Sequence, residues 1–206
     1  MKFYLSSFKL GNEVEKLKEL MGTGPVGYIP NALDSPKNDL NWKTNHIKSD
    51  IDSLRSLEFK VELLDLKDYF EKEGELRKKI SGLRGVWVSG GNVFVLRQAI
   101  KLSNFDRILK ELQERDDFVY GGYSAAACVL SPSLKGYQIV DDANDFPYDE
   151  IKETIWDGMG LIDYAFLPHF ESDHSESDDI GKEVKYCKEN NIPFKTLRDG
   201  EVIIIE

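Results

Sequence analysis

"VYGGYSAAACVL", Val119–Leu130, sets a serine between a β-type run that ends in two glycines and a run of alanines. Phe118, Val119 and Tyr120 read as the close of a buried strand, and the alanines as helix former. A serine at such a junction either caps the helix or stands out from the sheet edge as a nucleophile. The second geometry needs small neighbours so that strand and helix can approach, the logic of G-x-S-x-G. Here the stretch is Gly122-Tyr123-Ser124-Ala125-Ala126, with alanine, the next smallest choice, in the last place. A cap does not account for the two-sided setting, so the elbow reading is favoured. The Ala125 amide at the new helix start then becomes an oxyanion donor.

Working outward, short apolar runs alternate with longer amphipathic ones, the signature of βα units and a mainly parallel sheet in an α/β fold. Strands are expected near Phe3–Ser6, Gly27–Pro30, Lys60–Leu64, Val86–Ser89, Phe118–Gly121, Ala165–Leu167, Phe194–Leu197 and Val202–Ile205. Three- and four-residue apolar spacing predicts helices at Glu13–Met21, Thr44–Leu57, Leu66–Ser81, Val93–Ser103, Asp106–Arg115 and Asp178–Asn190. Asp199-Gly200 predicts a tight turn that makes the last two strands a C-terminal hairpin. The least regular part is the acidic stretch Ser131–Gly160. At 206 residues and 41% hydrophobic, the chain reads as a single domain, 1–206, with a real core.

A net charge of −10 argues against sequence-independent nucleic-acid binding and against docking to anionic membrane, both of which rest on basic patches. A small peptide or other small molecule is the expected partner, with a homo-oligomer left open. Cys128 and Cys187 form neither a zinc spacing nor a disulfide framework, which suits a reducing cytoplasm. The first residues turn polar too soon for a signal peptide, and no later run is long enough to span a bilayer.

A second oxyanion donor is expected from another loop at the C-terminal strand edges, where open α/β sheets place their ligands. Ser89-Gly90-Gly91-Asn92 after Val86-Trp87-Val88 offers Gly91, although two glycines also make an ordinary turn. Of three histidines, His46 reads as surface or core filler on a helix, and His174 sits in a solvated acidic run. His169 follows Ala165-Phe166-Leu167-Pro168, at the end of a buried strand, and is the best base for a serine. The acid that orients it lies either before it (Asp141, Asp142, Asp145 or Asp163) or after it (Asp199); residue chemistry alone leaves this open.

Together, Gly90-Gly91-Asn92, Gly122-Tyr123-Ser124-Ala125, Gly160-Leu161-Ile162-Asp163 leading to Leu167-Pro168-His169-Phe170, and Leu197-Arg198-Asp199-Gly200 resemble the peptidase E family of serine peptidases. That family comprises cytoplasmic enzymes known for dipeptides beginning with aspartate, and its wider relatives include cyanophycinases. The resemblance implies a three-layer α/β/α sandwich similar to class I glutamine amidotransferases. It also implies Ser124 as nucleophile, His169 as base and Asp199 in the place of the family's glutamate; an aspartate between serine and histidine would match Asp145 only loosely. The family has glycine where this chain has Ala126. Amidotransferases carry cysteine at the elbow, whereas Cys128 lies a helical turn beyond Ser124 and reads as a small buried residue.

The expected reaction is acyl transfer to water through an acyl-enzyme, with no metal or cofactor required. Asp173, His174, Glu176 and Asp178 form an acidic cluster that a cation could occupy, but a cap by Ser177 or Asp178 explains part of it more simply. Selecting an N-terminal aspartate needs a cation in the pocket, with Arg84, Arg97 and Lys135 as candidates by proximity to the motifs. The competing readings are a binding protein that lost turnover through Ala126, and an α/β-hydrolase-type esterase.

Overall fold

A computed structural model describes residues 1–206. Eight strands form where short apolar runs occur: β1 Lys2–Ser6, β2 Pro25–Ile29, β3 Lys60–Leu63, β4 Gly85–Val88, β5 Val119–Tyr123, β6 Ala165–Leu167, β7 Phe194–Thr196 and β8 Val202–Ile205. Seven α-helices connect them: α1 Val14–Met21, α2 Leu40–Ser56, α3 Glu73–Ser81, α4 Val93–Leu102, α5 Phe105–Leu112, α6 Ala125–Cys128 and α7 Ser177–Glu189. No helix is long and apolar enough to cross a membrane.

The main sheet has the order β3-β2-β4-β5-β1-β8, parallel except for β8, which runs antiparallel to β1. Residue-by-residue alternation along the strands sends side chains to opposite faces. Phe3, Leu5, Val86, Val88 and Tyr120 join the large core under α3 to α7, while Tyr4, Trp87 and Val119 join a smaller core with Leu17, Leu20 and Met21 of α1 and Leu54 of α2. Two buried faces, each covered by helices, make the α/β/α sandwich.

Three local expectations are corrected. The last two strands are not a hairpin. The turn exists, with the Glu201 amide bonded to the Arg198 carbonyl at 2.9 Å and Gly200 at φ 97°. Its arms part, however: β7 pairs in parallel with β6 in a separate two-stranded sheet, and β8 completes the open edge of β1. The expected helix 66–81 is broken into a 3₁₀ turn, Leu66–Tyr69, and α3, because Glu71 takes φ 59°. The helix expected from Thr44 begins at Leu40, since Asp39 caps it by accepting from the Trp42 amide at 3.0 Å.

The turn after β5 rests on a missing side chain. A Cβ on Gly122 would lie 2.5 Å from the Ala126 methyl and 2.6 Å from the Val88 carbonyl oxygen. Ala126 is fully buried and fills the space that Gly122 leaves. Gly122→Ala is therefore expected to overpack this contact and cost about 2 kcal/mol, which calorimetry would read as a melting temperature lower by roughly 4–8 °C.

Candidate active site

The loops after β1, β4, β5 and β6 meet around a cleft of about 210 Å³ that holds Ser124, His169, Gly90 and Gly91 among its walls. Ser124 sits at φ 50°, ψ −115°, a conformation that L residues avoid and that persists only when the surroundings enforce it. The Ser124 amide donates to the Ser6 carbonyl at 3.1 Å, and its own carbonyl accepts from Ala127 at 2.8 Å and Cys128 at 3.0 Å. Its hydroxyl makes no capping bond, so the cap alternative falls away and the side chain is left to the cleft. α6 runs for only four residues before the chain turns off at Ser131-Pro132. The electrostatic help at Ser124 is thus the free N–H of the first helical residue, Ala125, rather than the dipole of a long helix.

Gly91 takes φ 136°, and a Cβ there would lie 2.4 Å from the Ala32 carbonyl oxygen. Only glycine fits. Its amide makes no hydrogen bond within the chain, while the next amide, Asn92, is tied to Ala32 at 2.9 Å. The Asn92 side chain caps α4 by accepting from Phe94 at 2.8 Å and Val95 at 3.1 Å, which fixes the loop. Gly91 and Ala125 both also border a smaller void behind Ser124.

His169, at φ 58° and 2% exposed, places Nδ1 2.6 Å from Asp199 Oδ1. Ser7, at the end of β1, locks the pair: its hydroxyl oxygen accepts from the His169 amide at 2.9 Å, and the hydroxyl donates to Asp199 Oδ1 at 3.0 Å. The Asp199 amide donates to Ser172 Oγ at 2.8 Å. With Nδ1–H turned to the carboxylate, Nε2 keeps its lone pair. Burial pulls the His169 pKa below its ordinary 6.5, against the pull of Asp199, so the ring is neutral near pH 7. Ser124 and His169 share the cleft without a direct hydrogen bond, as unliganded acyl-transfer sites often do.

None of the other proposed acids is bonded to His169. Asp142 pairs with Lys37, Asp145 is buried against the Ser35 hydroxyl, Asp141 accepts from the Val93 amide at 2.8 Å, and Asp163 is exposed beside an apolar groove lined by Tyr137, Tyr164 and Tyr186. The candidate cations lie elsewhere. Arg84 donates to the Leu20 and Met21 carbonyls, Arg97 is buried against Asp106 and the Asp157 carbonyl, Lys135 is exposed, and none lines the cleft.

Several cleft residues are ones that the sequence reading assigned otherwise or passed over. His174, expected in solvent, stacks on His169 with ring centroids 3.7 Å apart and planes 7° apart, and Phe8 packs edge-on to both. His46, expected as filler, lines the cleft with Trp42 and reaches Tyr123 Oη at 2.8 Å. Lys9 Nζ stands 2.9 Å from His46 Nε2, 2.7 Å from buried Asp50 and 3.3 Å from Tyr123 Oη. Neither Ser177 nor Asp178 caps α7; Ser177 Oγ instead accepts from the Ser172 amide at 3.2 Å. Of the acidic cluster, His174 and Glu176 join His169, with ligand atoms within 4.8 Å of one another. A divalent ion drawn there would occupy Nε2.

A sequence model described as peptidase family S51 matches residues 9–206. An uncharacterized peptidase of Listeria monocytogenes is 30% identical over 199 residues, 95% of this chain and 80% of that protein. A second uncharacterized peptidase, from Listeria innocua, is 30% identical over 112 residues, 54% of this chain and 42% of that protein. Among solved structures, a candidate peptidase E protein from Listeria monocytogenes EGD-e superposes with a TM-score of 0.74 at 24% identity, covering 100% of this chain and 98% of that one. A peptidase from an acI-B1 Actinobacterium gives 0.69 at 15% identity, covering 100% and 83%. At these identities the two structures speak to the fold, and they agree on it.

In an NMR titration, the His169 ring is expected to protonate below pH 6.5, the value from which burial displaces it. Because Asp199 opposes burial, Asp199→Asn moves the midpoint lower still. A midpoint that rises in the variant contradicts this account. Since the folded pKa is the depressed one, His169 costs stability as pH falls through 6.5 and costs no more below its folded value.

Proposed function

The chain belongs to peptidase family S51, a family of serine peptidases, and from that premise we propose that it hydrolyses small peptides with Ser124 as nucleophile, His169 as base and Asp199 as the acid that orients the base. The observation that carries this reading is the Asp199–His169 contact of 2.6 Å facing a strained Ser124 across one cleft. Membership of the family agrees with the resemblance read from the motifs; the roles of the residues are our proposal.

In the reaction, Ser124 Oγ attacks the scissile carbonyl while its proton passes to His169 Nε2. Asp199 holds the ring and stabilises the imidazolium, and the Ala125 and Gly91 amides receive the oxyanion. The imidazolium then gives its proton to the departing amine. Water, deprotonated by the same ring, releases the acyl group and restores the serine. No step calls for a metal. Two alternatives weaken on specific observations: Ala126 sits in the space over Gly122 rather than distorting the turn, and the acid on His169 follows it in the chain, unlike the α/β-hydrolase order.

The finer part of the proposal is a dipeptidase acting on an N-terminal aspartyl residue in a reducing cytoplasm, where the free thiols of Cys128 and Cys187 are at home. An aspartyl carboxylate needs a cation; no lysine or arginine lines the cleft itself, and Lys9, which bonds to its walls His46 and Tyr123 while paired with Asp50, is our candidate.

A fluorophosphonate probe is expected to label the protein, and Ser124→Ala to abolish both labelling and dipeptide turnover. Labelling that persists in that variant excludes Ser124. Asp199→Asn is expected to cut turnover by roughly 10³–10⁴-fold with the fold intact. On a dipeptide panel, Lys9→Met is expected to raise KM about tenfold for aspartyl dipeptides and to leave alanyl ones unchanged; equal effects on both remove Lys9 from recognition.

A further inference from the structure

Behind the turn that carries Ser124 lies a void of about 20 Å³, enough for one water-sized group. Its lining brings together Gly91, Ser124 and Ala125 with three carboxylic acids, Asp141, Glu176 and Glu183. No lysine or arginine lines it. Glu183, on α7, is fully buried, and neither of its carboxyl oxygens has a hydrogen-bond partner. A buried, unpartnered carboxyl is costly, and natural structures keep few of them. Burial, reinforced by the neighbouring acids, pushes Glu183 up to about 8 and Asp141 up to about 7. Cys128 and Tyr137, the other titratable groups on this wall, are also raised by burial and stay neutral. At neutral pH Glu183 is therefore mostly protonated and Asp141 is near the midpoint of its titration, so this wall carries less charge than three carboxylates would and still offers acceptors to a donor. An oxyanion between the Gly91 and Ala125 amides meets correspondingly less repulsion from it.

We infer that this void is the subsite for a primary ammonium group on the residue whose carbonyl Ser124 attacks, with Glu183 and Asp141 accepting its hydrogen bonds and Glu176 adding charge at the rim. The inference deepens the proposed peptidase reaction and rests on Ser124 being its nucleophile. An N-terminal residue carries its ammonium one carbon from the scissile carbonyl, so a carbonyl seated between the two amides brings that ammonium to the acidic wall. A lysine side chain brings the same group from farther away. In either case the cation donates to the Glu183 oxygens, which have no partner within the chain, and the size of the void excludes bulkier cationic heads.

The test measures protection of wild type and Glu183→Gln from the fluorophosphonate probe. Leucinamide, which has a free α-ammonium, is compared with 4-methylpentanamide, which lacks it, and Nα-acetyl-lysinamide with Nα-acetyl-norleucinamide. In wild type, leucinamide is expected to protect at concentrations at least tenfold lower than 4-methylpentanamide. A lysinamide advantage of that size instead assigns the ammonium to the side chain and upholds the subsite. Glu183→Gln levels the pairs while its melting temperature does not fall, because the substitution removes a buried acid and keeps its shape. If that variant does not fold, Asp141→Asn takes its place. Equal protection within both pairs, on a wild-type protein that still labels at Ser124, overturns the subsite, as does an advantage that survives both substitutions. Absence of labelling falls on the assignment of Ser124 instead. Isothermal titration of the same amides then decides the subsite by the same comparison, since it needs no reactive serine.

Discussion

The 2.6 Å contact between Asp199 and His169 is the constraint to which the rest of the site answers. Asp199 stands in the passage between β7 of the small sheet and β8 of the large one, and His169 follows β6 of the small sheet. Ser7, at the end of β1, bonds to both. The three segments are distant in sequence, and what they share is a place at the C-terminal edge of the strands. The imidazole is thus oriented by the docking of two sheets, and its position is as rigid as that packing.

Opposite it, Ser124 is held by a different means. Its unfavourable backbone angles survive because β5 is paired on both sides, by β1 and β4, and because Gly122 lets α6 close over the strand. Strain of this kind is of order 1–3 kcal/mol and is sustained by the surrounding core. Ser124 is fixed by strain inside a strand-to-helix turn and His169 by hydrogen bonds between sheets. The cleft is the gap between these two rigid bodies.

Much of this was legible in the sequence. All eight strands fall within a few residues of where the sequence placed them; for β4, β5 and β6 the reason is that buried parallel strands need continuous apolar side chains, and those runs have few other uses. That Ser124, Gly91 and His169 stand at strand ends around one cleft was legible because each follows such a run. What stayed hidden is what depends on contacts between remote segments. Nothing in Arg198-Asp199-Gly200 distinguishes a hairpin turn from a crossing between sheets, since the local geometry is the same and only the partners differ. His174 and Glu176 read as solvated because their neighbours in the chain are polar; their neighbours in space are Phe8 and His169. Ser7 carried no signal beyond its place at a strand end. Glu183 read as one more polar residue of an amphipathic helix, and only the fold reveals that it is sealed from water.

The placement of Asp199 has a consequence for how the protein comes into being. On the ribosome, the serine emerges first, the imidazole forty-odd residues later, and the carboxylate that turns the imidazole only after the small sheet has been made. β8 must then dock on β1 to draw that turn into place. A growing polypeptide that has already shaped its elbow therefore holds an unaimed histidine. Under the proposed roles, the aiming of the histidine waits on the docking of β8, so the order of translation sets when the site is assembled.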